Sequence, residues 1–137
     1  MIKNLWINLP VKDVEKSKTF FTNIGFKPNT AYGNNAFSAS FLLGDKQIVV
    51  MLFSEAIFKG FIQTETADTT KGTEVLFSID AESREEVDAL AKLVETAGGT
   101  LYSQPTEVQG WMYGFGFIDL DGHRWNSLYM DMSKMPK

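Results

Sequence analysis

Residues 5–26, LWINLPVKDVEKSKTFFTNIGF, carry a strand and a helix in immediate succession. Leu5, Ile7 and Leu9 fall on one side of an extended segment, with Trp6 and Asn8 on the other, the period of two that marks a half-buried strand. Asp13 then stands where a helix N-cap is wanted, Val14, Phe21 and Ile24 recur at helical spacing, and Gly25 is a natural stop. The same pattern returns half a chain later in residues 74–99, EVLFSIDAESREEVDALAKLVETAGG. Val75, Phe77 and Ile79 alternate with Glu74, Leu76 and Ser78; Ser83 and Glu86 form an S-x-x-E capping box; Val87, Leu90, Ala91, Val94 and Ala97 make the apolar stripe; Gly98-Gly99 ends it. A near-repeat of this length organises the whole fold.

Working outward, each predicted helix is followed by extended segments: 37–43 and 47–53 in the first half, 100–103, 112–118 and 124–130 in the second. Gly44-Asp45 and Asp121-Gly122 supply the turns. The expected fold is therefore α+β, with two βαβββ modules in a single domain spanning 1–137. Module one runs to about 62, a linker covers 63–72, module two covers about 73–131, and 132–137 form a tail. A strand-helix-meander module covers one sheet face with its own helix and leaves the other needing a partner. Two such modules would pair into a curved mixed β-sheet cleft with the helices outside. Residues 54–62 read as a short helix carrying Ile57, Phe58 and Phe61, and 63–72 as an aperiodic connector; the alternative is a flap that brings Phe58 and Phe61 over the cleft.

Composition narrows the chemistry. The 137 residues include 18 aromatic side chains (11 Phe, 4 Tyr, 3 Trp) but one His and no Cys, which excludes disulfides, thiolate nucleophiles, zinc fingers and iron–sulfur clusters. A net charge of −4 argues against nucleic acid, whose phosphates demand a basic face. No run of about 18 apolar residues is present to span a membrane, so a soluble, cytoplasmic protein is expected. Gly114-x-Gly116 lacks the spacing and the following helix of a phosphate loop. His123, just after Asp121-Gly122, reads as a surface turn histidine rather than an acid-base group.

The stretch Ile7-Asn8-Leu9-Pro10-Val11-Lys12-Asp13-Val14, followed by Phe20-Phe21 and Gly25-Phe26, resembles the opening strand and helix of the vicinal oxygen chelate superfamily, the glyoxalase, bleomycin-resistance and extradiol dioxygenase group. Phe117-Ile118-Asp119-Leu120-Asp121-Gly122-His123 resembles its closing D-P-D-G hairpin, with Leu120 where Pro is usual. The resemblance implies four positions that hold a divalent metal in the family's enzymes, and these fall here on Trp6, Met51, Glu74 and Asn126. An indole offers no lone pair, a thioether suits soft ions, and an amide carries no charge, so no metal and no cofactor are expected.

Trp6, Met51, Phe53, Trp111, Tyr113 and Leu128 are then candidates to line an apolar cleft, with Asn8, Ser78 and Asn126 as its polar groups. Glu74, read as an acid inside an apolar strand, is the candidate anchor and the weak candidate base. Aromatic walls with a carboxylate would favour a small apolar or aromatic ligand carrying positive charge. The resulting expectation is a metal-free small-molecule-binding protein of the sequestering kind, with no nucleic-acid or membrane partner, acting as a homodimer. Two readings stay open beside it. One is an enzyme, either a metal-independent lyase or isomerase using Glu74 or a glyoxalase-like or dioxygenase-like enzyme with other ligands; the other is an interaction module whose cleft is filled by its own side chains.

Overall fold

The computed structural model describes residues 1–136. Its elements are β1 (Trp6–Val11), α1 (Val14–Asn23), β2 (Lys27–Pro28), β3 (Ser38–Leu43), β4 (Ile48–Ser54), α2 (Glu55–Ile62), β5 (Leu76–Ala81), α3 (Arg84–Ala97), β6 (Thr100–Val108), β7 (Met112–Ile118) and β8 (Arg124–Met130), then one 3-10 turn at Met132–Lys134. The chain divides into two compact units, Met1–Asp68 and the part from Thr69 onward. Unit 1 holds a sheet of order β1-β4-β3-β2 and unit 2 one of order β5-β8-β7-β6, the same α+β topology twice. In each, the first strand lies parallel to the last, β1 with β4 and β5 with β8, and the remaining neighbours are antiparallel.

The helix ends follow the capping chemistry of the sequence. The Asp13 carboxylate accepts from Lys16 N–H at 3.0 Å, and Gly25 takes the left-handed conformation (φ 101°) just past α1. At α3 the Ser83 hydroxyl accepts from Glu86 N–H at 3.1 Å, while the Glu86 carboxylate accepts from Glu82 N–H at 2.7 Å. The reciprocal bond of the capping box thus reaches one residue further back than the usual N-cap amide. Gly98 closes the helix at φ 102°.

Register assigns the faces. Ile7 pairs with Val50 and Leu9 with Leu52, and Phe41 and Ala39 oppose the same two β4 residues, so these six share one face. Phe21 of α1 lies 6.0 Å from Phe41 between ring centroids, which places α1 on that face. Phe20, Phe21, Phe41, Val50 and Leu52 are almost completely buried there, each side chain contributing about 1.5–3 kcal/mol by removal from water. In unit 2 the helix-facing set is Phe77, Trp125, Phe115 and Phe117 under Val87, Ala91 and Val94 of α3. Phe117 and Trp125 stack at 6° and 6.2 Å. Phe115 and Phe117 are core, at 2% and 0% exposure.

Three local readings differ from the sequence pattern. β5 begins at Leu76, so Glu74 stands in a bend two residues ahead of it and is exposed, not inside the strand. A carboxylate among Val75, Leu76 and Phe77 reads as interior only if the strand starts there; Val75 and Leu76 are themselves half exposed. β6 continues past Ser103 to Val108 through Pro105, with register shifts on either side of Ser103. A bulged edge strand tolerates the missing proline N–H, which a central strand would not. His123 has a side chain only 10% exposed rather than a surface position, because Asp119 draws it inward.

Candidate functional site

The face of each sheet away from its helix is where this topology leaves side chains to spare. In unit 1 that face carries Trp6, Asn8 and Pro10 of β1 beside Val49, Met51 and Phe53 of β4, paired in that order, with Ser40 opposite Met51. The structure therefore brings Trp6, Asn8, Met51 and Phe53 onto one surface. A loop missed in the sequence lies across it. Residues 29–37 join β2 to β3, and a Cβ placed on Gly33 (φ +87°) would meet Met51 Cε at 2.8 Å and Ser40 Cβ at 2.9 Å. Asn29 Nδ2 donates to Ser40 Oγ at 3.1 Å, Asn34 Oδ1 accepts from Ser40 N–H at 3.1 Å, and Ser38 Oγ donates to the Gly33 carbonyl at 2.8 Å. Trp6 Nε1 reaches the Tyr32 hydroxyl at 3.3 Å. Met51 is left 8% exposed under this cover. Further along the strand, the Phe61 ring of α2 meets Phe53 edge-on at 5.0 Å. The Gly-Asn-Asn run of residues 33–35 was the available signal, since such residues hydrogen-bond locally and accept left-handed backbone.

In unit 2 the corresponding face carries Leu76, Ser78 and Asp80 of β5 beside Arg124, Asn126 and Leu128 of β8. Gly116 and Gly114 of β7 oppose Asn126 and Leu128. Missing side chains on β7 admit neighbours: the end of the Tyr102 ring fills the space a Cβ on Gly116 would need, and Leu128 lies over Gly114. The Arg124 guanidinium sits over the Tyr102 ring, 4.7 Å from its centroid. Asn126 Oδ1 is buried and accepts no hydrogen bond among the described residues. The connection between β6 and β7 is only residues 109–111, too short to cross the sheet. Arg124 and Tyr102 were not singled out from the sequence, although Arg124 shares the parity of Asn126 and was legible on that ground.

The remaining predicted residues lie elsewhere in unit 2. Tyr113 is on the α3 side of the sheet, opposite to Asn126 and Leu128: its hydroxyl donates to Asp88 of α3 at 2.7 Å, which, with burial, raises its pKa. Arg84 stacks on the Tyr113 ring at 4.8 Å and bonds Glu107 through both terminal guanidinium nitrogens, Nη1 and Nη2, the Nη2 contact being 2.7 Å. That hydrogen bonding holds the Glu107 carboxyl below its usual value. Trp111 is in the β6–β7 turn, its Nε1 buried without a partner among the described residues.

The closing hairpin is organised by one buried carboxylate. Asp119 Oδ1 accepts from the backbone N–H groups of Asp121 and His123, each at 3.0 Å, and Oδ2 accepts from Trp125 Nε1 at 3.0 Å and faces His123 Nδ1 at 2.9 Å. Thr69 braces the turn from outside, donating to the Asp121 carbonyl at 2.7 Å. This arrangement fixes where β8 starts, and so where Arg124 and Asn126 stand.

The donor set does not suit a divalent metal. On sheet 1, Trp6 presents an N–H, not a lone pair, and Met51 is a thioether beneath Gly33. On sheet 2, the residue in register with Trp6 is Leu76, since both stand two positions before the partner of Met51 or Asn126. Glu74 is outside that strand, Ser78 and Asn126 offer neutral oxygens, and the carboxylate Asp80 stands beside Leu128 at the far end of the face. Among the described residues, no three His, Cys, Asp or Glu side chains come together as a metal-binding group, and no helix is long and apolar enough to cross a membrane.

Comparison with known proteins agrees with this architecture. Residues 3–37 match the family of bleomycin resistance protein-like N-terminal domains. The structure of hypothetical protein SA1046 from S. aureus is 38% identical with a TM-score of 0.82, and the match covers 94% of each chain. A glyoxalase-related enzyme from Fulvimarina pelagi matches at 17% identity and TM-score 0.80 over 94% of this chain and 88% of that one. A glyoxalase/bleomycin resistance protein/dioxygenase family enzyme from Burkholderia phytofirmans PsJN matches at 18% and 0.76 over 91% and 96%. No curated protein sequence matches. The chain thus has the fold of the vicinal oxygen chelate superfamily, the glyoxalase/bleomycin resistance protein/dioxygenase group.

Proposed function

We propose that the protein is a metal-free, small-molecule-binding member of this superfamily, of the sequestering type, taking a ligand with an apolar or aromatic body. One observation carries this reading: of the four positions that the resemblance assigns to metal ligands, three hold an indole, a thioether and an amide and the fourth, Glu74, stands outside β5, while the faces keep exposed rings such as Trp6 and Tyr102, at 51% and 40%. Rings of this kind bind by removal from water, at about 25 cal/mol per Å² of apolar area, less the cost of immobilising the ligand. The test is a screen of planar compounds followed by tryptophan fluorescence and amide NMR on full-length protein, with elemental analysis of the same sample. Saturable binding with sub-stoichiometric zinc, iron, manganese and nickel supports the reading. A stoichiometric, chelator-sensitive ion, or a screen without any binder, overturns it.

A further inference from the structure

The chain has two arginines, Arg84 and Arg124. Both stack on tyrosine rings, at 4.8 and 4.7 Å, but on opposite faces of one sheet. Arg84 delivers its charge to Glu107. Arg124 has no carboxylate within ion-pair distance among the described residues, in a protein whose net charge is −4. Its ring-stacked face is occupied, and the edge of a guanidinium is where its forked N–H donors point. β8 is an inner strand, hydrogen-bonded to β5 on one side and β7 on the other, so this cation stands on rigid backbone rather than on a loop.

The same strand places a second group. Asn126 is two residues on, roughly 7 Å along a strand, on the same face. Its buried Oδ1 has no donor. An unmet buried acceptor costs about 1–3 kcal/mol, so it is a strong point of complementarity for any ligand that brings an N–H or O–H. Beyond it, Leu128 lies over Gly114, and the one carboxylate that β5 places on this face, Asp80, pairs with Leu128, four residues along the strand from the position opposite Arg124.

We propose that the open face of sheet 2 is an acid-binding subsite: Arg124 takes a carboxylate or phosphoryl group, and Asn126 accepts a hydrogen bond from a donor about one aromatic ring away. This inference rests on the binding reading above and assigns the ligand's charge, which is negative rather than the positive one that Glu74 suggests. A carboxylate and a phosphate monoester share the bidentate geometry that a guanidinium fork recognises.

The experiment is a ¹⁵N NMR titration of the full-length protein with five probes: 4-hydroxybenzoate, 4-hydroxyphenyl phosphate, 4-hydroxybenzamide, 4-hydroxybenzylamine and benzoate. It reads the Arg124 Nε–Hε and Asn126 side-chain amide resonances. One of the two acids is expected to bind at least roughly ten-fold more tightly than the amide or the amine, the scale of one charge-assisted hydrogen bond, and to shift both resonances. Whichever acid binds more tightly identifies the anion. Benzoate, which lacks the donor, is expected to bind several-fold more weakly and to leave Asn126 unshifted. Arg124→Gln is expected to abolish the preference for acids, and Arg124→Lys to keep part of it, with unchanged melting temperatures showing that both variants are folded.

The proposal is overturned if the amine or the amide binds as well as the acids, if Arg124→Gln leaves acid affinity unchanged, or if none of the probes binds. Binding without the acid preference sinks the subsite and spares the binding function. Failure of these probes together with the wider planar screen removes both.

Discussion

Met51 on sheet 1 and Asn126 on sheet 2 occupy equivalent positions in two copies of one topology, each paired with the third residue of its first strand. Met51 is sealed under Gly33 by a loop that is hydrogen-bonded to Ser38 and Ser40. Asn126 has no such loop above it, since residues 109–111 are all that joins the strands where residues 29–37 do so in unit 1. Two repeats can thus keep the same strand order and core while differing in what they leave open. Connection length, rather than sheet architecture, decides how much of each face its own unit's loop covers. The faces also differ in chemistry: sheet 1 offers Trp6 and Phe53 to its own loop and helix, whereas sheet 2 offers a cation and an unmet acceptor.

The largest effect is expected where unit 2 can be damaged without touching unit 1. Asp119→Ala leaves Trp125 Nε1, 1% exposed as a residue, and two turn amides without their acceptor, so a loss of about 3–5 kcal/mol is expected in urea unfolding. Hydrogen exchange should lose protection over β7 and β8 while β1 and β4 keep theirs. Equal loss in both units would break the view of two separately organised sheets.

Gly33→Val attacks the cover on sheet 1. It combines a branched Cβ at φ +87° with a clash against Met51 and Ser40, and should cost about 1–3 kcal/mol. Displacement of Tyr32 from Trp6 should appear as a shift in tryptophan emission. Unchanged emission and stability would mean that the loop does not close this face.

Asn126→Leu tests the orphan acceptor on sheet 2. Replacing an unsatisfied buried amide by an apolar group of similar size should be neutral or stabilising by about 1 kcal/mol, with weaker 4-hydroxybenzoate binding. A clear loss of stability would show that the amide is satisfied in solution. Gly116→Ala should change stability by less than about 1 kcal/mol, because the obstructing atoms belong to the far end of the Tyr102 side chain. It should nevertheless move the ring under Arg124 and lower acid affinity, read in the same titration.

The smallest effect contrasts the two arginines. Arg84 holds the Glu107 carboxyl below its ordinary value, so the pair stabilises the fold above the unfolded carboxylate's titration. That contribution is lost as pH falls through the lowered folded value. Both partners are substantially exposed, at 43% and 45%, so Glu107→Gln should change melting temperature only slightly at neutral pH and not at all in acid, and should leave acid-ligand binding unaffected.

Much of the fold was legible because local chemistry and periodicity agree. Asp13, Gly25, Ser83 and Gly98 cap the helices as their residue types require, and β7 and β8 have the limits their alternation implies. The start of β5 was not legible, because Glu74-Val75 continues the alternation that Leu76 begins while making no ladder contact. The candidate site was read in part. Trp6, Asn8, Met51 and Phe53 do share a surface, but Tyr113 shares the odd-numbered parity of Phe115 and Phe117 and faces α3, a relation visible only once that strand is oriented.

By itself the sequence determined the repeat, the capping, the apolar core and the shortage of metal donors, since each depends on residue type and short-range spacing. Tertiary structure alone decided that loop 29–37 lies on Met51, that Tyr102 crosses Gly116 to meet Arg124, and that Asp119 gathers His123 and Trp125. These are contacts between segments whose meeting depends on strand register and on which side chains are missing from the strand between them. Spacing along one chain does not encode that information, and the register of the folded sheet does.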